Sequence, residues 1–295
     1  MFQTTSQVLA DPAKPIIIAL GSGSLLSLAA SVALLRVVEA RNLTGRIKQV
    51  WGCSAGSIVG SLFALGMSPD EIYSHIARLH RGDLIDYNWW GFLNAIFTGR
   101  IQGGLLYGKK LPVLCHEWLG SKQFAETKPA LRILAHRLEP EPEQLTIFYS
   151  GEIFPTVAAS LAMPGLLPPY TIGNELYCDP STQQKVPILA AAEEAASWEI
   201  KPVIIASYCG WAGGMRERNP RDLMGNLFHA KEILQWELTQ ANVDKAKALG
   251  SNVILLTTPV YNVGNLAFGL FRSLEEKCLR AFTEQLDLVE SGTSA

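Results

Sequence analysis

Apolar residues in this chain fall into two kinds of run. Short, unbroken, β-branched runs read as buried strands. Longer stretches with apolar residues three and four apart read as helices. Ile16–Leu20, directly after Pro15, predicts a strand, and Leu25–Ala40 a helix. Lys48–Gly52 predicts a second strand and Ala55–Leu65 a second helix. Ser68-Pro69-Asp70-Glu71 is a helix start, with Ser as N-cap, Pro at the first helical position and Glu at the third. That helix runs to about Leu79, and Lys110–Leu119 predicts another. Ala130–Arg137 and Leu145–Ser150 predict a hairpin around the Glu139-Pro140-Glu141-Pro142 turn. Thr156–Met163 is helical and stops at Pro164-Gly165; Glu175–Cys178 is a short strand, and Pro187–Ala196 a helix. Pro202–Ser207 and Asn252–Thr257 read as buried strands on either side of a helical stretch from about Arg221 to Leu249. Ser273–Val289 closes the chain as a helix. This alternation predicts an α/β fold with a mainly parallel sheet covered by helices on both faces. One domain is expected over residues 1–295, with a motif-bearing core at about 16–190 and strands and helices of 200–290 completing it.

Composition sharpens this picture. Charged residues make up 18% of the 295 positions and hydrophobic ones 48%. The charged share is below the usual quarter, as large buried faces or an apolar binding surface require. Net charge is −2, with Lys and Arg spread along the chain, so nothing electrostatic recommends nucleic acid as a partner. Five cysteines without a C-x-x-C pair read as reduced thiols, not as a zinc site or disulfide framework. A cytoplasmic location, with association to membranes, is the expectation. No charge falls between Lys14 and Arg36, a span long enough for a bilayer. It is broken by Gly21-Ser22-Gly23-Ser24, with Ser27 and Ser31 following, which favours strand, turn and helix. The first eleven residues carry no basic cluster, which reads against a secretory leader. The aromatic run Tyr87-Asn88-Trp89-Trp90-Gly91-Phe92-Leu93, continuing to Phe97, fits no clear element. Rings are normally buried, so a core or pocket wall is the expectation. A rim touching acyl chains or a membrane surface is the other reading.

Candidate chemistry begins at Val50–Gly60, VWGCSAGSIVG. Gly52-Cys53-Ser54-Ala55-Gly56 fits G-x-S-x-G between a predicted strand and a predicted helix, the context a nucleophile elbow needs. Glycine two before and two after keeps side chains from colliding in so tight a turn. The new helix offers its N-terminal N–H groups to developing negative charge. The turn Gly21-Ser22-Gly23-Ser24 also joins a strand to a helix, and its backbone N–H groups could hold an oxyanion or a phosphate. A dinucleotide fingerprint would need glycine where Leu26 stands. The base is less obvious. A hydrolase triad of Ser54, Asp179 and His229 has the right order, but His229 lies in a helical stretch and the elbow comes after only one earlier strand.

Ala158 to Ile188 offers another base. Ala159-Ser160-Leu161-Ala162-Met163-Pro164-Gly165-Leu166-Leu167-Pro168-Pro169, then Tyr177-Cys178-Asp179, then Lys185-Val186-Pro187 follow one another in order. Together with the early elbow, these stretches resemble the patatin-like phospholipase family. There a segment like A-S-x-A-x-P-x-x-F-P-P precedes a hairpin ending in an aspartate and a run closing on N-V-P. The resemblance covers about Ile16 to Ile188. It implies a Ser–Asp dyad, with Ser54 as nucleophile and Asp179 as base. Backbone N–H groups among Gly21, Ser22, Gly23, Ser24 and Ala55 would hold the oxyanion. A carboxylate buried without a cation gains the basicity this role needs.

The chain departs from the family in two places. The family turn usually reads G-G-G-x-R/K-G, and here it is Gly21-Ser22-Gly23-Ser24-Leu25-Leu26 with no basic residue. The family aspartate is usually followed by glycine, and here Pro180 follows Asp179. The function expected is a lipid acyl hydrolase acting through an acyl-enzyme on a lipid ester, with peripheral membrane contact and no cofactor or metal. The alternatives are a lipid-binding relative with a weakened site and the His229 esterase.

Overall fold

The computed structural model describes residues 5–100, 103–213, 223–260 and 268–292. In chain order its elements are α1 (Thr5–Ala10), β1 (Ile16–Leu20), α2 (Ser24–Ala40), β2 (Ile47–Cys53), α3 (Ala55–Ala64), α4 (Pro69–Ala77) and α5 (Arg81–Leu84). Then come α6 (Trp89–Thr98), α7 (Lys110–Leu119), β3 (Ala130–Glu139), β4 (Gln144–Phe148) and α8 (Ile153–Leu161). They are followed by β5 (Tyr170–Ile172), β6 (Glu175–Cys178), α9 (Ile188–Glu194), β7 (Val203–Tyr208), α10 (Leu223–Ala248), β8 (Asn252–Thr257) and α11 (Phe271–Glu290). The predicted helix start near Arg221 lies outside the described residues.

All eight strands form one sheet in the order β5-β6-β3-β2-β1-β7-β8, with β4 also pairing β3. The run from β3 to β8 is parallel, while β4, β5 and β6 are antiparallel additions at one side. The strands after residue 200 thus extend the sheet that β1 and β2 begin.

Alternation along β1 explains its unbroken apolar run. Ile16, Ile18 and Leu20 join the core beneath α2, α3 and α11, while Ile17 and Ala19 join a second core beneath α9 and α10. All five residues are buried, as a parallel strand covered on both faces demands. Trp51 and Tyr208 fill the second core and Val50 and Ile205 the first. Helix α2 lies between the sheet and α11, and 13 of its 17 residues are buried. That position, with β1 before it, accounts for the uncharged run from Pro15 to Leu35. No helix among the described residues is long and apolar enough to cross a membrane. Arg36 on α2 joins Glu275 on α11 at 2.6 Å and Asp70 on α4 at 2.5 Å, tying three helices together.

Two expectations need revision. Strand β5 is absent from the sequence reading: it has three residues, none buried, and exists by pairing β6. The aromatic run forms α6, and it is not core. Within it only Gly91 is buried. Trp90 and Asn94 do line a cavity of about 550 Å³ beside the helix, so the pocket-wall reading holds for that one side.

Candidate active site

Two strand-to-helix turns lie side by side at the C-terminal ends of β1 and β2, where Leu20 is in register with Gly52. This is where open α/β sheets place their sites. Ser54 occupies the second turn with φ +53° and ψ −126°, as the residue before α3. A side chain with a Cβ avoids that region, and holding it there costs on the order of 1–3 kcal/mol. The surroundings enforce it. The Ser54 N–H donates to Ser160 Oγ on α8 at 2.8 Å, and the Ser54 carbonyl accepts from the N–H and hydroxyl of Ser57 at 2.8 and 2.6 Å. The flanking glycines have no room for a side chain. A Cβ on Gly52 would sit 2.5 Å from the Ser57 Cα, and one on Gly56 would sit 2.4 Å from the Leu20 carbonyl oxygen.

The first turn has a related geometry. Ser24 also has positive φ, +50°, and Gly23 has φ +154°. A Cβ on Gly21 would meet the Ser207 carbonyl at 2.7 Å. The Ser22 N–H donates to the Lys185 carbonyl at 2.8 Å, so it is spent on the scaffold and is struck from the oxyanion donors. Among the described residues the N–H groups of Gly23, Ser24 and Ala55 have no acceptor, as at the first turn of any helix. Gly21 serves through its carbonyl, which accepts the Ser27 hydroxyl.

Asp179 is fully buried at the end of β6. Its N–H donates to the Ala162 carbonyl at 2.9 Å, just past the end of α8. Pro180 fits here without distortion. Asp179 is in extended geometry and acts as N-cap of a short 3₁₀ turn, Pro180–Thr182, with the proline at its first position. The carboxylate Oδ1 accepts the Ser181 N–H at 2.8 Å, while Oδ2 has no hydrogen-bond partner. One oxygen is thus anchored and the other open. Burial pushes the carboxyl above its ordinary pKa, against the pull of the Ser54 side chain, Ser181 and the Lys231 charge. Ser54 is therefore close enough to Asp179 to act on its ionisation, short of a formed hydrogen bond; resting sites are often this loose.

Among the described residues the His229 triad is not assembled. His229 on α10 packs against the Trp211 ring at 6.1 Å, its buried Nδ1 has no partner, and Asp179 makes no bond to it. The five cysteines are free and buried. For Cys53, beside Ser54, burial raises the thiol well above its usual pKa, which makes it inert.

Three side chains at the site escape sequence reasoning in their roles. Ser160 lies inside the Ala159–Pro169 stretch, but its bond to Ser54 spans 106 residues and leaves no local signal. Gln235 on α10 donates to the Ser181 carbonyl at 2.9 Å and steadies the Asp179 turn. Lys185 is buried with its ammonium 4.6 Å from the Tyr208 ring centre, and burial pushes its pKa down to about 8.

A model of the patatin-like phospholipase family matches residues 18–192, more than half of the chain. The chain belongs to that family. Among solved structures, VipD from Legionella pneumophila is similar at 11% identity and TM-score 0.45, over 95% of this chain and 67% of that one. The ExoU–SpcU heterodimer from the type III secretion system of Pseudomonas aeruginosa is similar at 12% identity and TM-score 0.42, over 95% of this chain. The chain spans about half, 52%, of the length of that match.

Proposed function

We propose that this chain is a lipid acyl hydrolase whose nucleophile is Ser54 and whose base is Asp179. Ser54 Oγ attacks the carbonyl carbon of an acyl ester and its proton passes to Asp179. The oxyanion forms beside the unpaired N–H groups of Gly23, Ser24 and Ala55, where donors fixed in advance lower the barrier most. Collapse breaks the ester C–O bond, and Asp179 returns the proton to the departing alcohol. Water then attacks the acyl-enzyme, gives its proton to Asp179 and releases the fatty acid, and Ser54 recovers its proton. The Lys231 charge acts on Asp179 and tempers the effect of burial.

The observation that carries this reading is the pairing of a strained serine, φ +53°, with a buried carboxylate whose Oδ2 is open. Membership of a phospholipase family supports lipid esters as the substrate class. The test is release of fatty acid from phospholipid and neutral acyl lipid by wild type, Ser54→Ala and Asp179→Asn. Both variants should fold and both should be inactive. Full turnover by either one overturns the assignment.

A second reading, a lipid-binding protein with little turnover, rests on the Ser22 N–H being consumed by Lys185. It expects lipid binding without hydrolysis by wild type and Ser54→Ala alike.

A further inference from the structure

Helix α6 presents its apolar side outward. Trp89, Trp90, Leu93, Ile96 and Phe97 follow a spacing that places them along one face, and all five are exposed. Trp89 is 66% exposed, Ile96 75% and Phe97 87%. A continuous apolar stripe of this kind is rare on a protein surface without a partner. The helix is nevertheless held firmly from behind. Asn88 caps it, accepting the Gly91 N–H at 2.9 Å and donating to the Gly104 carbonyl at 3.0 Å. The Leu105 and Leu106 N–H groups donate to the carbonyls of Gly165 and Leu166 at 3.1 and 2.9 Å. So the exposed face is built, and its mount is the segment between α8 and β6.

Along the chain, the charge flanking this helix on its C-terminal side has one sign. No Asp or Glu occurs between Asp86 and Glu117, while Arg100, Lys109 and Lys110 lie in the interval, in a chain of net charge −2. All three basic residues are exposed. Asp86 itself is half-buried and accepts the N–H groups of Gly108, Lys109 and Lys110 at 3.0, 2.7 and 3.3 Å, so both carboxylate oxygens are engaged. Tryptophans and a phenylalanine flanked by cations suit the boundary of an anionic bilayer.

The face and the site also share a supporting segment. The cavity beside α6 reaches Pro168. Pro168 also borders a narrow cleft lined by Ala158, Leu161 and Ala162. Ala162 holds Asp179 through its carbonyl, and Ser160, between these residues, holds Ser54. The α6 mount and the supports of the dyad therefore meet in one segment, Ala158 to Pro168.

We propose that α6 docks this protein onto an anionic lipid surface, with Trp89, Ile96 and Phe97 entering the interface and Arg100 and Lys109 facing headgroups. The proposal deepens the lipid-hydrolase reading, and rests on it only for the use made of the bound membrane.

Flotation with vesicles of phosphatidylcholine and phosphatidylglycerol in equal parts, and of phosphatidylcholine alone, tests it. Wild type should bind the mixed vesicles far better. Replacing Trp89, Ile96 and Phe97 together by Ser should weaken binding at least about tenfold, with circular dichroism and Tm unchanged because these side chains are exposed. Arg100→Gln with Lys109→Gln should weaken it by about fivefold for each charge removed and erase the preference for anionic vesicles. Ser54→Ala should bind as wild type does, so failure of the chemical assignment leaves this result standing. Binding of the serine-substituted form at wild-type strength overturns the proposal. So does a wild type that ignores anionic vesicles, or one whose α6 face instead joins two copies in gel filtration.

Discussion

The two strand-to-helix turns at β1–α2 and β2–α3 share one backbone feature and differ in use. Each places a serine at φ close to +50°, Ser24 at +50° and Ser54 at +53°, just where a helix begins. The backbones touch: a Cβ on Gly56 would come within 2.4 Å of the Leu20 carbonyl oxygen and 2.8 Å of that of Gly21. Yet the first turn spends part of its backbone on the scaffold, through the Ser22 N–H and the Gly21 carbonyl. Ser22 is tied to Lys185, and Ser27 to Gly21. The second turn spends only its backbone, on Ser160 and Ser57, and leaves the Ser54 hydroxyl beside Asp179. The difference is one of which groups are already satisfied. The first turn, with the idle N–H groups of Gly23 and Ser24, can donate to an anion; the second, with an idle hydroxyl and the idle Ala55 N–H, can attack and help to hold the product of that attack.

The sharpest way to break this contrast is to remove the idle groups of the second turn. Ser54→Ala and Asp179→Asn should each lower kcat on a soluble short-chain ester by on the order of a thousandfold or more, and the double variant should be scarcely worse, because the residues act as a unit. Steady-state kinetics of the three variants checks this. Gly23→Ala attacks the donors of the first turn. Its Cβ would lie 2.7 Å from that of Cys209 in a φ that side chains avoid. The expected result is a drop in kcat of about a hundredfold with KM little changed. Gly56→Ala presses one turn against the other, and should cost about 2–3 kcal/mol in urea denaturation, the usual toll of overpacking. Ser160→Ala removes the acceptor beneath Ser54, and should cost about 1–2 kcal/mol along with a modest fall in kcat. The smallest effect is on pH dependence. The folded-state pKa of Asp179 is raised, so its contribution is most favourable at acid pH and is lost as pH rises through that folded value. Asp179→Asn should flatten this slope, giving a Tm above wild type at neutral pH but not at acid pH.

Much of this was legible before any coordinates. β1 and β7 were visible because residues buried on both faces must be apolar throughout. Ser68 and Pro69 marked α4 through capping chemistry, which is local, and the structure shows that capping box formed. The elbow glycines were legible because sterics force them. The base was not legible from residue chemistry. Asp179 became a candidate through the Ala159–Pro187 resemblance, since contact with Ser54 crosses most of the domain core. Ser160 and Gln235 were missed as supports for the same reason. Ser22 was counted as a donor because a glycine-serine turn does not announce which N–H a distant carbonyl will claim. β5 is too short to leave a period. The α6 expectation holds only where Trp90 and Asn94 line the cavity; aromatic content predicts burial on average, and Trp89 and Phe97 are exposed instead.

The central claim is that Asp179 takes the proton of Ser54. The direct measurement is the rate at which a fluorophosphonate labels Ser54, mapped by mass spectrometry, as a function of pH in wild type, Asp179→Asn and His229→Ala. Wild type and His229→Ala should label alike, through a single ionisation lying above the ordinary carboxylate range. Asp179→Asn should lose that step and label slower by on the order of a thousandfold. Labelling of Asp179→Asn at the wild-type rate, or loss of labelling in His229→Ala, would contradict it.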